Sequence, residues 1–300
     1  MADSNAPKKP DTPEKPGKPE KPHKPGLKLD FGSVGGLAVA LGGILGGLVL
    51  DKGKIADVTQ VNAALVVLGG TIGAVMVTNP FSLFVKAIMR FPSVFFERSQ
   101  PVASTIDDII TYATQARKQG IVSLEQQANT IQDPFLQKAL KLAVDGIEMS
   151  EIRSIMELEI DLVEHAGEAE VKVFEAAGGY APTIGIIGAV LGLMQVMKNL
   201  ANIDEVGRGI ASAFVATVYG LVSANLFFLP AGAKLRGRLK EVIRLREMML
   251  EGVLSIVEGL NPKMIRIKLD AYLMQGSAKP KAAAKDKKGK AAAQPVAAEG

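Results

Sequence analysis

Two long apolar stretches of this sequence contain a few polar side chains, and these are its first candidates for chemistry. The stretches, residues 180–198 and 210–231, each have about the length that crosses hydrocarbon, roughly 20 helical residues. Their polar groups at depth are hydroxyls and one amide: Thr183, Ser212, Thr217, Tyr219, Ser223 and Asn225. A hydroxyl can position an ion or a water molecule, but proton and ion relays inside membranes are built from ionisable side chains. We infer that any ion this chain transports is bound by a titratable group from a partner protein.

Two prolines lie near the ends of these stretches that we expect on one side of the membrane. Pro182 and Pro230 each remove a backbone donor, which gives a helix a kink or a hinge. Taken singly, each has an ordinary alternative: a tolerated first-turn proline at 182, and a helix break at the membrane edge at 230. Small residues occupy positions where a lipid-facing helix would carry Leu or Ile, namely Gly185, Gly188, Ala189 and Gly192. We interpret the two stretches as walls of a protein-lined path.

The composition excludes several kinds of active site. Because the chain has no cysteine, disulfides, thiolate metal ligands and cysteine nucleophiles are ruled out. It also has no P-loop, zinc-ligand spacing or nucleophile elbow, so we predict no catalytic residue, no metal and no cofactor. The net charge of +4 comes from two low-complexity ends, and basic segments beside membrane helices explain it without a nucleic-acid partner.

Four apolar stretches predict an all-α polytopic membrane protein with four transmembrane helices. Their predicted bounds are residues 33–50, 58–78, 180–198 and 210–231. Of the 35 lysines and arginines, only four lie in or beside the two short turns: Lys52, Lys54, Lys198 and Arg208. Positive charge collects on the cytoplasmic side, so we predict that both termini are cytoplasmic.

The remaining chain predicts a helical cytoplasmic domain between two disordered ends. The domain is formed by residues 79–175, which end in a long acidic helix leading into the third span, and by a C-terminal helix at 232–274. Residues 1–28 carry proline at every third position from 7 to 25, and residues 275–300 are rich in Ala and Lys. Both ends are predicted to be disordered.

Glycine recurs at four-residue spacing in the first two spans. This spacing lets helix backbones approach closely, and glycine otherwise weakens a helix, so we predict tight packing against other helices, as in an oligomer. The pairs are Gly42/Gly46, Gly43/Gly47 and Gly69/Gly73.

Three motifs, in the same order along the chain, resemble the MotA subunits of bacterial flagellar stators, within the wider MotA/TolQ/ExbB group. The most specific is P-T-I-G-I-I-G-A-V-L-G-L at residues 182–193. The second is A-T-V-Y-G at 216–220, with Pro230 following ten residues later. The third is R-K-Q-G-I-V-S-L-E at 117–125, and the resemblance as a whole extends from about residue 30 to residue 270.

The resemblance implies a flagellar stator in the bacterial inner membrane, in which five copies of this chain surround two copies of a single-span MotB-like subunit. That partner carries the ion-binding aspartate. Pro182 and Pro230 would shape the conformational change, and Ala189 and Thr217 would line the path. On the cytoplasmic side, Arg117 and Glu125 would contact a FliG-like rotor protein; without the resemblance, they would be an ordinary exposed surface.

The transported ion is predicted from one position. Sodium-driven members of the group resemble G-T-L-V-G-L where this chain has residues 188–193, so Ala189 stands in place of a threonine. A threonine hydroxyl at this position would help to replace the hydration shell of sodium, and alanine has none. The second hydroxyl, that of Thr217, is retained in this chain. We therefore expect proton coupling.

Two other readings of the sequence remain, besides an enzyme, which is the weakest. One is an ExbB- or TolQ-like motor that energises the cell envelope; those subunits resemble a three-span layout, and the fourth span counts against it. The other is a non-conducting membrane scaffold. It would explain the glycine packing, but not the paired prolines and Thr217 on otherwise apolar helices.

Overall fold

The computed structural model describes residues 27–98, 102–198 and 200–277. Almost all of them are helical, and the bounds of the helices are α1 Phe31–Leu50, α2 Val61–Thr78, α3 Phe81–Arg90, α4 Val102–Gln119, α5 Glu125–Ala128, α6 Pro134–Val144, α7 Met149–Lys198, α8 Ile203–Val222, α9 Leu229–Val257 and α10 Pro262–Ser277. Short 3₁₀ turns occupy Ile55–Val58, Phe91–Phe95 and Ile121–Leu124. Of the two ends predicted to be disordered, residues 1–28 and 275–300, the parts at 1–26 and 278–300 lie outside the described residues.

Four helical segments are long and apolar enough to span a membrane, which confirms the predicted fold class. They are Phe31–Leu50, Ile55–Thr78 and parts of the long segments Met149–Lys198 and Ile203–Val257. Short turns join α1 to α2 and α7 to α8 at one end of the bundle. The long α7 and α9 leave at the other end, here called the domain end.

Two helical connections cross the boundary between the apolar bundle and the polar domain. Helix α7 is unbroken for 50 residues, roughly 75 Å, and joins the acidic segment directly to the third span. Helices α8 and α9 are joined by a π-helical turn at Ser223–Phe228. The sequence predicts both connections, because helical spacing of apolar residues continues through each boundary.

The domain has its own apolar core, built from α4, α6, α9, α10 and the first half of α7. Its fully buried side chains include Ile109, Leu140, Ile152, Met248 and Leu269. Asp133 caps α6 by accepting hydrogen bonds from the amides of Phe135 and Leu136, and Pro134 takes the first helical position, where it loses no hydrogen bond.

Three features depart from the predicted layout. Helix α10 includes residues 275–277, which were assigned to the disordered tail. Residues 27–29 form strand β1, which pairs antiparallel with strand β2 at Phe96–Arg98, although residues 27 and 28 were assigned to the disordered arm. The predicted C-terminal helix at 232–274 is divided in two: α9 ends at Val257, Gly259 has a φ of +76°, and α10 begins at Pro262. Glycine ends the first helix in a left-handed conformation and proline begins the second.

Helix α1 has no buried residue within a single chain. A Cβ atom added at Gly42, Gly43, Gly46 or Gly47 would meet nothing within 4 Å, and the same holds for Gly69 and Gly73 of α2. The close packing predicted for these glycines is therefore not made inside one protomer.

Candidate functional site

Helices α7 and α8 cross through small residues, so that their backbones touch. A Cβ atom added at Gly220 would lie 2.6 Å from the carbonyl oxygen of Ala181, and one at Gly185 would lie 3.0 Å from that of Ala216. At the next level, a Cβ on Gly192 would lie 3.0 Å from the amide nitrogen of Ala213. Larger side chains at these positions would force the two helices apart.

Ala189 and Thr217 lie beside this crossing at one level of the bundle. Each directly follows a crossing residue, Gly188 on α7 and Ala216 on α8, and these two are in close contact. Both Ala189 and Thr217 are half-buried. The structure thus brings the two predicted path residues to similar depths in the bundle, and their role in the path stays a prediction.

Three polar side chains along α8 and the π-helical turn donate hydrogen bonds to carbonyls of their own helix. The Thr217 hydroxyl donates to the Ala213 carbonyl at 3.3 Å, and Ser223 donates to that of Gly220 at 3.1 Å. The Asn225 amide donates to the Leu221 carbonyl at 2.9 Å. Residues 182–197 and 209–230 contain no charged side chain. The chain therefore offers hydroxyl ligands along the crossing, but no group that exchanges a proton at neutral pH.

Pro182 and Pro230 lie at the domain end of the crossing. Since Pro182 has no N–H, the carbonyl of Gly178 loses its helical donor, and the face of Gly178 is packed against the side chain of Leu229, the residue before Pro230. The ring of Pro230 would press on the carbonyl of Leu226 in a regular α-helix, and the wider π-helical turn ends just before it. The weakened turns of the two helices are thus adjacent.

The phenol of Tyr219 is a structural link that sequence reasoning missed. Its hydroxyl donates to the carbonyl of Val58 at 2.6 Å and accepts from the amide of Gln60 at 3.2 Å. Gln60 is the N-cap residue of α2 and its side chain forms no cap, and the phenol satisfies the backbone amide of Gln60 itself. A tyrosine in an apolar helix generally needs a polar partner, which was the available signal, but the sequence does not identify the partner.

An ionic junction joins α7 to α9 where the apolar bundle meets the domain. The guanidinium of Arg236 donates to both carboxylate oxygens of Glu168 and, on the other side, to those of Glu175 at 2.5 and 3.1 Å. The hydrogen bonds from Arg236 lower the pKa of Glu168. Arg90 of α3 adds a further ion pair with Glu170 at 3.1 Å.

A second junction fixes the start of α1. The buried carboxylate of Asp30 accepts from the amide of Ser33 and forms ion pairs with Lys234 and Arg238 of α9. Arg238 also donates to the carbonyls of Val94 and Phe96. The hydrogen bond from Lys234, with that from Ser33, lowers the pKa of Asp30 to about 2. The signal in the sequence was an aspartate one residue before an apolar helix, which is a common cap.

Arg117 and Glu125, the predicted rotor contacts, are both exposed in the domain. Arg117 lies in the last turn of α4 and Glu125 begins α5, with Gly120 at a φ of +81° in the turn between them. Among the described residues, neither side chain forms an ion pair. They form a surface separate from the α7–α8 crossing.

The loop that presents Glu125 is held by a glutamine pair. The Gln115 side chain donates to the carbonyl of Ser123 at 3.0 Å and accepts from the side chain of Gln127. These contacts bind the loop back to α4, so that the positions of Arg117 and Glu125 are fixed relative to each other. Nothing in the spacing of the two glutamines indicated this role.

Two family models match this chain. Residues 127–248 match the MotA/TolQ/ExbB proton channel family, and residues 34–119 match the model described as Motility protein A N-terminal. Motility protein A of Bacillus subtilis (strain 168) is 36% identical over 249 residues, which cover 82% of this chain and 91% of that protein.

Two solved structures have a similar fold. A chain of the flagellar MotAB stator complex from Bacillus subtilis is 34% identical, with a TM-score of 0.75, covering 83% of this chain and 100% of that chain. A chain of C. jejuni MotAB is 28% identical, with a TM-score of 0.78, covering 81% of this chain and 96% of that chain.

Proposed function

Because this chain belongs to the MotA/TolQ/ExbB proton channel family, we propose that it is the ion-conducting stator subunit of a bacterial flagellar motor. It conducts ions across the membrane together with a MotB-like subunit, and it converts their flow into torque on the rotor. The likeness to Motility protein A extends over 91% of that protein, and the solved relatives are MotAB stators.

One observation carries this proposal: the α7–α8 crossing offers hydroxyl groups but no carboxylate, and it is joined to a large domain by continuous helices. A path of this kind needs a partner that supplies the titratable group. A single-span subunit with an aspartate at the level of Thr217 would complete it.

In this assembly, five copies of the chain surround two copies of the partner in the inner membrane, with both termini in the cytoplasm. The asymmetry of lysine and arginine supports the orientation. The open glycine faces of α1 and α2 support an assembly of several copies, since they find no packing partner within one chain.

The work comes from charge neutralisation at the partner's aspartate. An ionised aspartate is held beside Thr217, and a neutral one is released to move past apolar surface. One elementary charge crossing the membrane yields about 2.3 kcal/mol per 100 mV, so several crossings drive each mechanical stroke. The adjacent weak turns at Pro182 and Pro230 are where α7 and α8 would bend.

We assign the proton as the coupling ion, since Ala189 provides no hydroxyl at the crossing to replace a hydration shell. Swimming speed of cells that depend on this stator measures it. Speed should be independent of external sodium and should fall to zero with a protonophore. Dependence on sodium, with indifference to a protonophore at a fixed sodium gradient, would contradict the assignment.

We assign Arg117 and Glu125 to the contact with the rotor protein, since both are exposed on the domain and lack ion pairs within the described residues. Reversing the charge of Arg117 should reduce motility, and the opposite change in the rotor protein should restore it. Failure of every rotor change to restore motility would indicate a structural role for Arg117.

The first test of the whole proposal is co-purification in detergent with a candidate single-span, aspartate-bearing partner from the same genome. Native mass determination should give a five-to-two complex. A stable assembly that contains no such partner would leave the path without its carboxylate, and would favour a non-conducting scaffold.

A further inference from the structure

A crevice lined by backbone and by mainly apolar side chains opens beside Arg117 at the far end of the domain. It lies between the last turns of α4 and the turn that joins α9 to α10, and its volume is about 210 Å³. Its walls are aliphatic or small: Ala113, Ala116, Ile121, Ile256, Val257 and Leu260. Arg117 lines it as well, and it is the one charged side chain among the described residues of the lining.

The crevice is large enough for one big side chain. An apolar cavity of roughly 150 Å³ holds a benzene molecule, so a phenylalanine or leucine side chain fits a space of this size. Two alanines on successive turns of α4, Ala113 and Ala116, leave it open, and a Cβ atom at Gly259 would meet nothing within 4 Å. Beside it, the side chain of Val122 is 65% exposed.

Its place in the molecule suits contact with a large partner. Helix α9 rises about 1.5 Å per residue, so Val257 lies roughly 40 Å along the helix from Pro230. Well-formed protein interfaces combine an apolar pocket for an anchor side chain with a polar rim that excludes water. An apolar crevice with an exposed arginine at its edge has this composition.

We propose that this crevice receives a large apolar side chain of the rotor protein, which lies next to an acidic residue that pairs with Arg117. The proposal rests on the proposed stator function and specifies the chemistry of its rotor contact. Exposed charge pairs contribute little to affinity, and they are screened by salt. The buried anchor supplies most of the affinity, and the charges orient the two surfaces.

The test fills the crevice without changing any charge. Ala116→Ser, Ala116→Val and Ala116→Leu form a series of increasing side-chain volume. The same three changes at Ala103, which is exposed at the other end of α4, are the matched controls. Each variant is purified with its partner subunit, and binding to the purified rotor protein is measured together with motility of a stator-deficient strain.

We expect rotor affinity and motility to fall with side-chain volume at position 116, by about tenfold in affinity for Leu, and to stay unchanged at 103. Co-purification, thermal unfolding and proton conduction of Ala116→Leu should match the unaltered complex, which separates docking from folding. A photo-crosslinker placed at 116 should capture the rotor protein.

Equal binding and motility across the series at 116 would overturn the proposal, while leaving the stator function intact. Capture of a second copy of this chain, or of its own C-terminal tail, in place of the rotor protein would overturn it too. If the unaltered chain binds the rotor protein through the crevice but does not restore motility, the stator function fails and the docking site stands.

Discussion

At the scale of single residues, the packing of α7 against α8 depends on glycines, which have no side chain to hold the two helices apart. The α7–α8 crossing exists because Gly185, Gly188, Gly192 and Gly220 let two backbones touch. From the sequence, the small residues of α7 are interpreted as part of a path wall, and the sequence predicts close helix packing only for the glycines of α1 and α2. It does not predict that Tyr219 binds the carbonyl of Val58, because that contact joins residues 161 apart in the chain.

Gly220→Ala should separate the two helices. The new methyl group would lie 2.6 Å from the Ala181 carbonyl oxygen, and a backbone neighbour cannot move aside as a flexible side chain can. We expect a loss of about 1–3 kcal/mol in stability, measured as a lower unfolding temperature of the purified complex, and a loss of motility. Gly179→Ala, where the methyl group meets nothing within 4 Å, is the control and should leave both unchanged.

Asp30→Asn should destabilise the anchor of α1. The ion pairs with Lys234 and Arg238 would be lost, at a cost of roughly 1–3 kcal/mol, and the unfolding temperature at pH 7 should fall. The same change at the exposed Asp51, at the other end of α1, should have little effect. Equal effects at the two positions would show that Asp30 is not an anchor.

The pH dependence of this anchor follows from the lowered pKa of Asp30, which is about 2. A carboxyl whose pKa is lower in the folded state stabilises fully above its unfolded value of about 4, and this contribution is lost as the pH falls through about 2. The difference in unfolding temperature between Asp30→Asn and the unaltered protein should therefore be constant from pH 5 to pH 8. A difference that changes across this range would contradict the lowered pKa.

At the scale of helices, most of the architecture follows from apolar periodicity, and the exceptions have local causes. Strand β1 was missed because a three-residue strand depends on its partner at Phe96–Arg98, far away in the chain. The break between α9 and α10 was missed although Gly259 and Pro262 are ordinary signals of a helix end and a helix start. The π-helical turn leaves no mark in periodicity at all; only Pro230 points to it.

Pro230→Ala should let this turn relax to a regular α-helix. Alanine restores the missing N–H and removes the clash with the preceding turn, a gain of up to about 3 kcal/mol in helix preference. Hydrogen exchange of residues 223–228 should slow, and motility should fall because the bend is stiffened. Pro262→Ala is the control, since proline at the start of α10 costs no hydrogen bond. If hydrogen exchange of residues 223–228 is unchanged in Pro230→Ala, the proline does not cause the π-helical turn.

At the scale of the whole molecule, the proposed path and the proposed rotor surface are far apart, and α7 and α9 connect them. Both surfaces stay predictions from the sequence, and Arg117 and Glu125 stand out only by resemblance, because an exposed charge has no periodicity or burial to distinguish it. The sequence did not predict the ionic junction that braces α7 against α9. Arg236 forms this junction with Glu168 and Glu175.

Arg236→Met should weaken this brace without blocking the path. The side chain keeps most of its length but loses its hydrogen bonds to both carboxylates, so α7 and α9 can shear under force. We expect ion conduction to remain, and swimming speed to fall more in viscous medium than in dilute medium. Arg244→Met is the control on the same helix, because Arg244 forms no ion pair among the described residues. Equal losses of speed at low and high load would argue against a brace.

Because α7 is continuous from the domain into the membrane, it should also transmit displacement in the reverse direction, from the rotor to the ion path. A helix that passes displacement from the membrane to the domain passes it equally from the domain to the membrane, and coupling between two sites is reciprocal in free energy. If an external torque turned the rotor against its natural direction, the same connection would drive the transported ion out of the cell against its gradient. Under such forcing, this motor would be a pump.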